Sequence, residues 1–108
     1  MRRRKYNNVR TEVDGMTFDS KKEAARYSEL RLLEIGNAIR DLQCQPKIPL
    51  MVNGTQIGHY IGDFKYLENG EWIIEDVKSK ATITPTYRLK KKILATYQPP
   101  ILIKEYFG

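Results

Sequence analysis

The sequence predicts an α/β fold in which one mixed sheet is flanked by two helices, and three observations predict it. A capped segment rich in Ala, Leu, Glu, Lys and Arg follows Ser20, two Asn-Gly steps separate three extended segments, and a second capped segment after Thr84-Pro85 precedes a final apolar stretch. Read in order, this is helix, three strands, helix, strand, which packs as helices against a sheet.

Each element has a local cause. Arg2, Arg3, Arg4 and Lys5 make residues 1–8 a flexible basic arm. Val9 to Phe18 alternates around the turn dipeptide Asp14-Gly15, as a short hairpin or an irregular lead-in. Ser20 with Glu23 three residues later is a capping-box pattern, and Gly36 ends the helix after Ile35. Tyr27, Leu30 and Leu33 recur on one face of that helix, able to pack on a sheet. Ala38 to Val52 is β-like, with Pro46 and Pro49 placing it at an edge or bending it. Gln56 to Glu68 and Glu71 to Lys78 follow, separated by Asn69-Gly70, so the three segments form an antiparallel meander. Thr84 and Pro85 open the second helix as N-cap and first helical residue, Pro99-Pro100 stops it, and Ile101 to Phe107 is the last strand.

Bulk properties bound the function. A chain of 108 residues is one domain, 1–108, and 41% hydrophobic with 30% charged residues is the composition of a globular protein. No segment approaches the roughly 20 apolar residues of a membrane span, and no apolar run follows the N-terminal charges as in a signal peptide, so a cytoplasmic protein without a membrane partner is expected. Cys44 is the one cysteine, too few for a disulfide or a zinc site, and is expected to be a buried small apolar residue. Nineteen Lys and Arg against 13 Asp and Glu give a net charge of +6, which favours a polyanionic partner. Arg88, Lys90, Lys91 and Lys92 cluster on one segment, as a phosphate-binding patch or as a solvated helix face.

Hairpin register brings chemistry together. If Asn69-Gly70 is a two-residue turn, Glu68 pairs with Glu71, and counting back sets Asp63 opposite Asp76. Asp76 and Lys78 share a face because side chains alternate along a strand, and the pairing puts Asp63 on that face too. Two carboxylates about 5 Å apart at Cβ repel unless something offsets them. A divalent cation with hard oxygen ligands would do so, with Lys78 placed to orient or help deprotonate a water or to stabilise charge on phosphate. The other reading is a structural ion pair in which Lys78 neutralises both acids. Ile61, Leu67, Trp72 and Ile74 on the same face make it a covered one, where a purely structural charge cluster is costly.

Asp63, twelve residues, then Asp76-Val77-Lys78 resembles the Asp…(Asp/Glu)-x-Lys signature of the PD-(D/E)XK nuclease superfamily. With Ser20 to Tyr27, Gln45-Pro46-Lys47, Tyr60 to Phe64, Glu75 to Lys78 and Tyr87 to Lys90, nearly the whole chain is similar to a family of short phage-encoded proteins within it. Gly62 stands where the superfamily name has Pro. The resemblance implies a restriction-endonuclease-like core and metal-dependent phosphodiester hydrolysis. It implies Mg²⁺, with Mn²⁺ able to substitute, held by Asp63 and Asp76 with the Val77 carbonyl, and Lys78 positioning the attacking water. Many members add a glutamate from the first helix, and Glu23 is the candidate. It lies one turn before Tyr27 on the same helix face, although a capping box also uses a glutamate there.

Parity ranks the neighbouring residues. Glu75 points away from Lys78 and pairs with Phe64, so Asp76 is preferred. Gln45 falls opposite Gly62 and away from Asp63 unless a bulge near Pro46 brings it round. His59, the one histidine, has no Ser, Cys or second His to work with. Arg88, Lys90 and Lys91, with Lys80, would hold DNA phosphates beside the site, and Tyr87 would stack or pack. Neither basic patch looks like a base-reading module, so recognition of backbone, shape or branch is expected, by an endonuclease acting in phage DNA recombination, replication or packaging. The small surface makes a homodimer or a phage or host protein partner plausible. The alternatives are a non-catalytic nucleic-acid-binding accessory protein on the same fold and, more remotely, a structural, ribosomal-type basic protein.

Overall fold

The computed structural model describes residues 9–79 and 83–108. In chain order its elements are β1 (Thr11–Val13), β2 (Met16–Phe18), α1 (Lys21–Ile35), β3 (Arg40–Cys44), β4 (Lys47–Val52), β5 (Thr55–Ile61), β6 (Phe64–Glu68), β7 (Glu71–Val77), α2 (Pro85–Ala95) and β8 (Ile103–Tyr106). Three two-residue turns set much of the path. Asp14-Gly15, Asn53-Gly54 and Asn69-Gly70 all have positive φ at both positions, the type I′ combination whose twist matches that of the strands it joins. They close the hairpins β1–β2, β4–β5 and β6–β7.

The fold is α/β, with a four-stranded mixed sheet in the order β3-β6-β7-β8. β3, β6 and β7 run antiparallel, and β8 lies parallel to β7. The predicted meander needs correction, because its first two strands are each broken. Residues 38–52 divide into β3 and β4 at Gln45, where φ is +54°, and residues 56–68 divide into β5 and β6 at Gly62-Asp63. Hydrogen bonds continue through the break, from Gln45 N–H to Asp63 O at 2.9 Å and from Gly62 N–H to Pro46 O at 3.0 Å. One long hairpin is therefore bent at its middle, where Pro46 lacks the N–H that a flat ladder requires. Its outer half, β4–β5, packs with α2 over the sheet.

Each sheet face has its own core. On one face Ala24, Tyr27 and Leu30 of α1 pack with Phe18, Ile39, Phe64 and Tyr66. On the other, Leu94 and Tyr87 of α2 join Leu50 and Tyr60 of the bent hairpin over Ile74 and Ile103. Tyr27 and Leu30 are buried as expected. Leu33 is exposed, and Ile39 fills the core at that end instead. Cys44 is half-buried against the α1 cluster rather than fully enclosed. The second face is covered only toward the C-terminal end of β7. Ile74 is buried, but Trp72 and Ile61, expected on a covered face, are exposed.

Both helix caps form. Ser20 Oγ accepts from Glu23 N–H and Thr84 Oγ1 from Tyr87 N–H, each at 3.1 Å, and Pro85 occupies the first turn of α2, where an absent N–H loses nothing. Among the described residues no helix is long and apolar enough to cross a membrane.

Candidate functional site

The bend places Asp63 at a corner. The β6–β7 ladder has the expected register, Glu68 with Glu71 through to Phe64 with Glu75, and stops one residue short of Asp63. There the chain turns, and each acid binds a backbone N–H of the other's strand end, Asp76 that of Asp63 and Asp63 that of Val77. Asp63 N–H donates to Asp76 Oδ1 at 2.9 Å, and Val77 N–H donates to Asp63 Oδ2 at 2.8 Å. The corner fits Gly62 closely. A Cβ there would meet Ile74 Cγ2 at 3.0 Å, Pro46 Cγ at 3.3 Å and Asp76 Oδ1 at 3.4 Å.

Asp76 is buried and accepts from the Tyr60 hydroxyl at Oδ2. Lys78 Nζ stands 3.5 Å from the same oxygen and 3.7 Å above the Tyr87 ring, so a carboxylate and an aromatic face together fix the ammonium. Tyr87 is held in turn, its hydroxyl donating to Glu105 Oε2 at 2.6 Å, with Lys91 Nζ 3.2 Å from that oxygen. The Tyr87 bond, then Lys91, hold the Glu105 carboxyl below its usual range. On the α1 side, Lys22 Nζ donates to the Lys78 carbonyl at 2.9 Å.

Glu23 reaches the cluster from the first turn of α1. Its backbone N–H completes the Ser20 cap while its side chain is buried. Burial first, then the charges of Asp63, Asp19 and Asp76, pushes its carboxyl up to about 7. Burial also raises Asp63, against the Val77 N–H and Lys78, and raises Asp76, against Lys78 and the Asp63 N–H. Three carboxyls are thus raised, chiefly by burial, and among the described residues Lys78 is the ammonium paired with Asp76. The hard oxygens of these three acids are the donor chemistry of a Mg²⁺ site. Three of the four oxygens of the aspartate pair are engaged within the chain, and among the described residues no three His, Cys, Asp or Glu side chains form a ready-made metal group.

Glu75 lies on the opposite face, as parity requires. It is 0% exposed and accepts from Arg26 Nε at 2.7 Å, Arg26 NH2 at 2.8 Å and the Tyr66 hydroxyl at 2.8 Å. Gln45 is displaced from its expected partner. A bulge at Ile57, where Leu50 pairs with Gly58 and Met51 with Gln56, shifts the outer hairpin by one residue. Gln45 therefore bonds Asp63 rather than Gly62, through its backbone, and its side chain is exposed. The bulge is several residues from Pro46, where one was considered.

On α2, Arg88 and Lys92 are exposed, Lys90 Nζ donates to His59 O at 3.1 Å and Lys91 pairs with Glu105. Tyr87 is 7% exposed with both its ring and its hydroxyl occupied, so it packs and offers no face to a base. Lys80 and the basic arm, residues 1–8, lie outside the described residues. His59 is exposed beside Gln56, 2.9 Å between Nε2 atoms, and apart from the acids. Sequence reading did not assign roles to Tyr60, Glu105 or Arg26. For Glu105 the signal was its pairing with Asp76, which is visible only once the β7–β8 register is known.

A protein-family model described as "Protein of unknown function (DUF1064)" matches residues 3–103. No curated protein and no solved structure matches the chain.

Proposed function

We propose that this chain, which belongs to the DUF1064 family, is a Mg²⁺-dependent DNA endonuclease with a restriction-endonuclease-like core, of the kind phages encode for recombination, replication or packaging of their DNA. The observation that carries the reading is the interlock of Asp63 and Asp76 at the bend beside the fixed Lys78, with the buried Glu23 carboxyl raised by burial and then by the charges of the two aspartates and Asp19. Burial is the first cause of the raised Glu23, Asp63 and Asp76 carboxyls, and a divalent cation would offset the cost of ionising them there. Asp63, Asp76, Glu23 and the Val77 carbonyl would hold Mg²⁺, with Mn²⁺ as a substitute. The bound ion supplies Lewis acidity toward a phosphoryl oxygen and lowers the pKa of a water.

The chain's own groups do the rest. Lys78 orients the attacking water and faces the charge that develops on phosphate. Asp76 and Tyr87 keep its ammonium in place, and Tyr60 keeps Asp76 in place. Arg88, Lys90 and Lys91 on α2, with Lys80, hold backbone phosphates, which positions DNA without reading its sequence. A second copy of the chain, or a phage or host protein, would extend this small DNA-contacting surface.

A second reading has its own support. The hydrogen bonds that engage Asp63 Oδ2 and both Asp76 oxygens suit a non-catalytic nucleic-acid-binding protein on the same fold. Incubation with supercoiled plasmid, linear duplex and branched DNA, with Mg²⁺ or Mn²⁺ and with chelator, separates the two. The nuclease reading expects metal-dependent cleavage that is lost in Asp63→Ala and Lys78→Ala while DNA binding persists. Binding without cleavage of any substrate by folded protein establishes the alternative.

A further inference from the structure

The uncovered end of the α2-side sheet face forms a groove of about 980 Å³ whose lining does not include the carboxylates. Its floor carries Trp72, the one tryptophan of the chain, which is 51% exposed. One wall is the Pro46–Pro49 stretch of β4 and the other is the Pro99–Leu102 lead into β8. Prolines on both sides stiffen the walls, so the opening is kept without a side chain folding in to fill it.

Charge selects the occupant. Lys47, Lys65 and Lys104 line the groove against one glutamate, Glu71, and Lys65 Nζ lies over one face of the Trp72 ring, 4.7 Å from its centre, which leaves the other face to a base. The whole chain carries +6, so a polyanion is attracted. An exposed indole with ammonium groups beside it is the arrangement that stacks an unpaired base and holds its flanking phosphates. A duplex cannot use it, because its bases are already stacked on one another.

The groove is also continuous with the acid site. Trp72, Ile74 and Asp76 follow one another on the same face of β7, about 13 Å from first to last at the rise of a strand. Ile74 and Pro46, which line the groove, are the residues that crowd Gly62 against Asp76. We propose that this groove binds an unpaired nucleic-acid strand, with a base stacked on Trp72 and adjacent phosphates on Lys65 and Lys47. The inference extends the reading of DNA as partner, but it requires neither metal nor hydrolysis.

Trp72 reports on itself, since no other tryptophan contributes emission. Oligothymidylate is titrated into the full chain in chelator while tryptophan fluorescence is followed. A parallel titration follows the anisotropy of the same strand carrying a label. Saturable quenching is expected, weakened by salt and much smaller with a duplex of equal length. Trp72→Ala should weaken single-strand binding roughly 5- to 150-fold, the range for loss of one base–aromatic stack, while Trp72→Phe keeps most of the affinity. Lys65→Gln should lower the salt dependence. Strand binding that leaves the emission unchanged and is equally tight in folded Trp72→Ala overturns the inference. So does an emission change that follows protein concentration and a doubling of mass, which would mark a second copy as the occupant. Metal-dependent cleavage without a Trp72 response would overturn this inference alone, and a Trp72 response without cleavage would overturn hydrolysis alone.

Discussion

Arg26→Met tests how α1 is fastened to the sheet. Glu75 is fully buried, and its carboxylate receives two short bonds from Arg26 and one from Tyr66, with Lys104 Nζ 4.0 Å away. Removing the guanidinium leaves a buried charge with one neutral donor and a half-exposed lysine at the limit of contact. Breaking such a pair from one side costs about 3–5 kcal/mol, because the remaining charge stays desolvated. A domain of this size has about 5–15 kcal/mol of total stability, so the loss is a large share of it. In urea, with a slope near 2 kcal/mol/M, the unfolding midpoint should fall by about 2 M with the slope unchanged. The double variant Arg26→Met, Glu75→Leu removes both charges and should recover most of the loss, because an apolar pair of similar volume can replace a buried ion pair at little cost. A single-variant loss below about 1 kcal/mol, or costs that simply add in the double variant, would refute the reasoning.

Stability should fall as pH rises from about 4.5 through about 7. Folding lifts Glu23 from 4.5 to about 7, so the native state keeps a proton that the unfolded chain releases, and the raised Asp63 and Asp76 act in the same direction. Melting midpoints followed across that range should lose much of this slope in Glu23→Gln, and Mg²⁺ should restore stability above pH 7 in the wild type only. Gly62→Ala adds a Cβ 3.0 Å from Ile74 and 3.4 Å from Asp76 Oδ1; it should lower stability by about 1–3 kcal/mol, which chemical denaturation would detect. Tyr60→Phe removes the hydroxyl from buried Asp76 Oδ2 and should lose about 1–3 kcal/mol in the same measurement, with Lys78 limiting the loss.

The sequence made legible whatever rests on local chemistry. Ser20 and Thr84 announce their helices through side chains that bond the first free N–H groups, and both do so. Asn69-Gly70 announces a type I′ turn, and the turn alone dictates that Glu68 faces Glu71, which carries Asp63 to Asp76. What was not legible depends on contacts distant in sequence. The bulge at Ile57 has no strong local signal, yet it moves Gln45 from Gly62 to Asp63. Arg26 reads as one more surface lysine-like charge on a helix until Glu75 is known to sit beneath it. Tyr87 follows a helix cap within a basic segment, where stacking and packing were both open, and the cation above it and the carboxylate beyond it make it pack. The bend at Pro46 was anticipated as a weakness of one strand. That it would fold half of a hairpin over the sheet, leaving Trp72 uncovered, depends on the whole packing.

The most direct test of the central claim is the single-turnover cleavage rate of one susceptible DNA substrate in saturating Mg²⁺, compared between the wild type and Asp76→Asn at matched DNA occupancy. The substitution keeps the shape and one acceptor oxygen for the Asp63 N–H, turns the oxygen that faces the Tyr60 hydroxyl into an N–H donor, and removes the charge. The account expects cleavage by the wild type that chelator abolishes, and a rate at least 100-fold lower in Asp76→Asn, on the order of the loss seen when one preorganised electrostatic group is removed from an active site. Equal rates in the two proteins, or wild-type cleavage that persists in chelator, would contradict it.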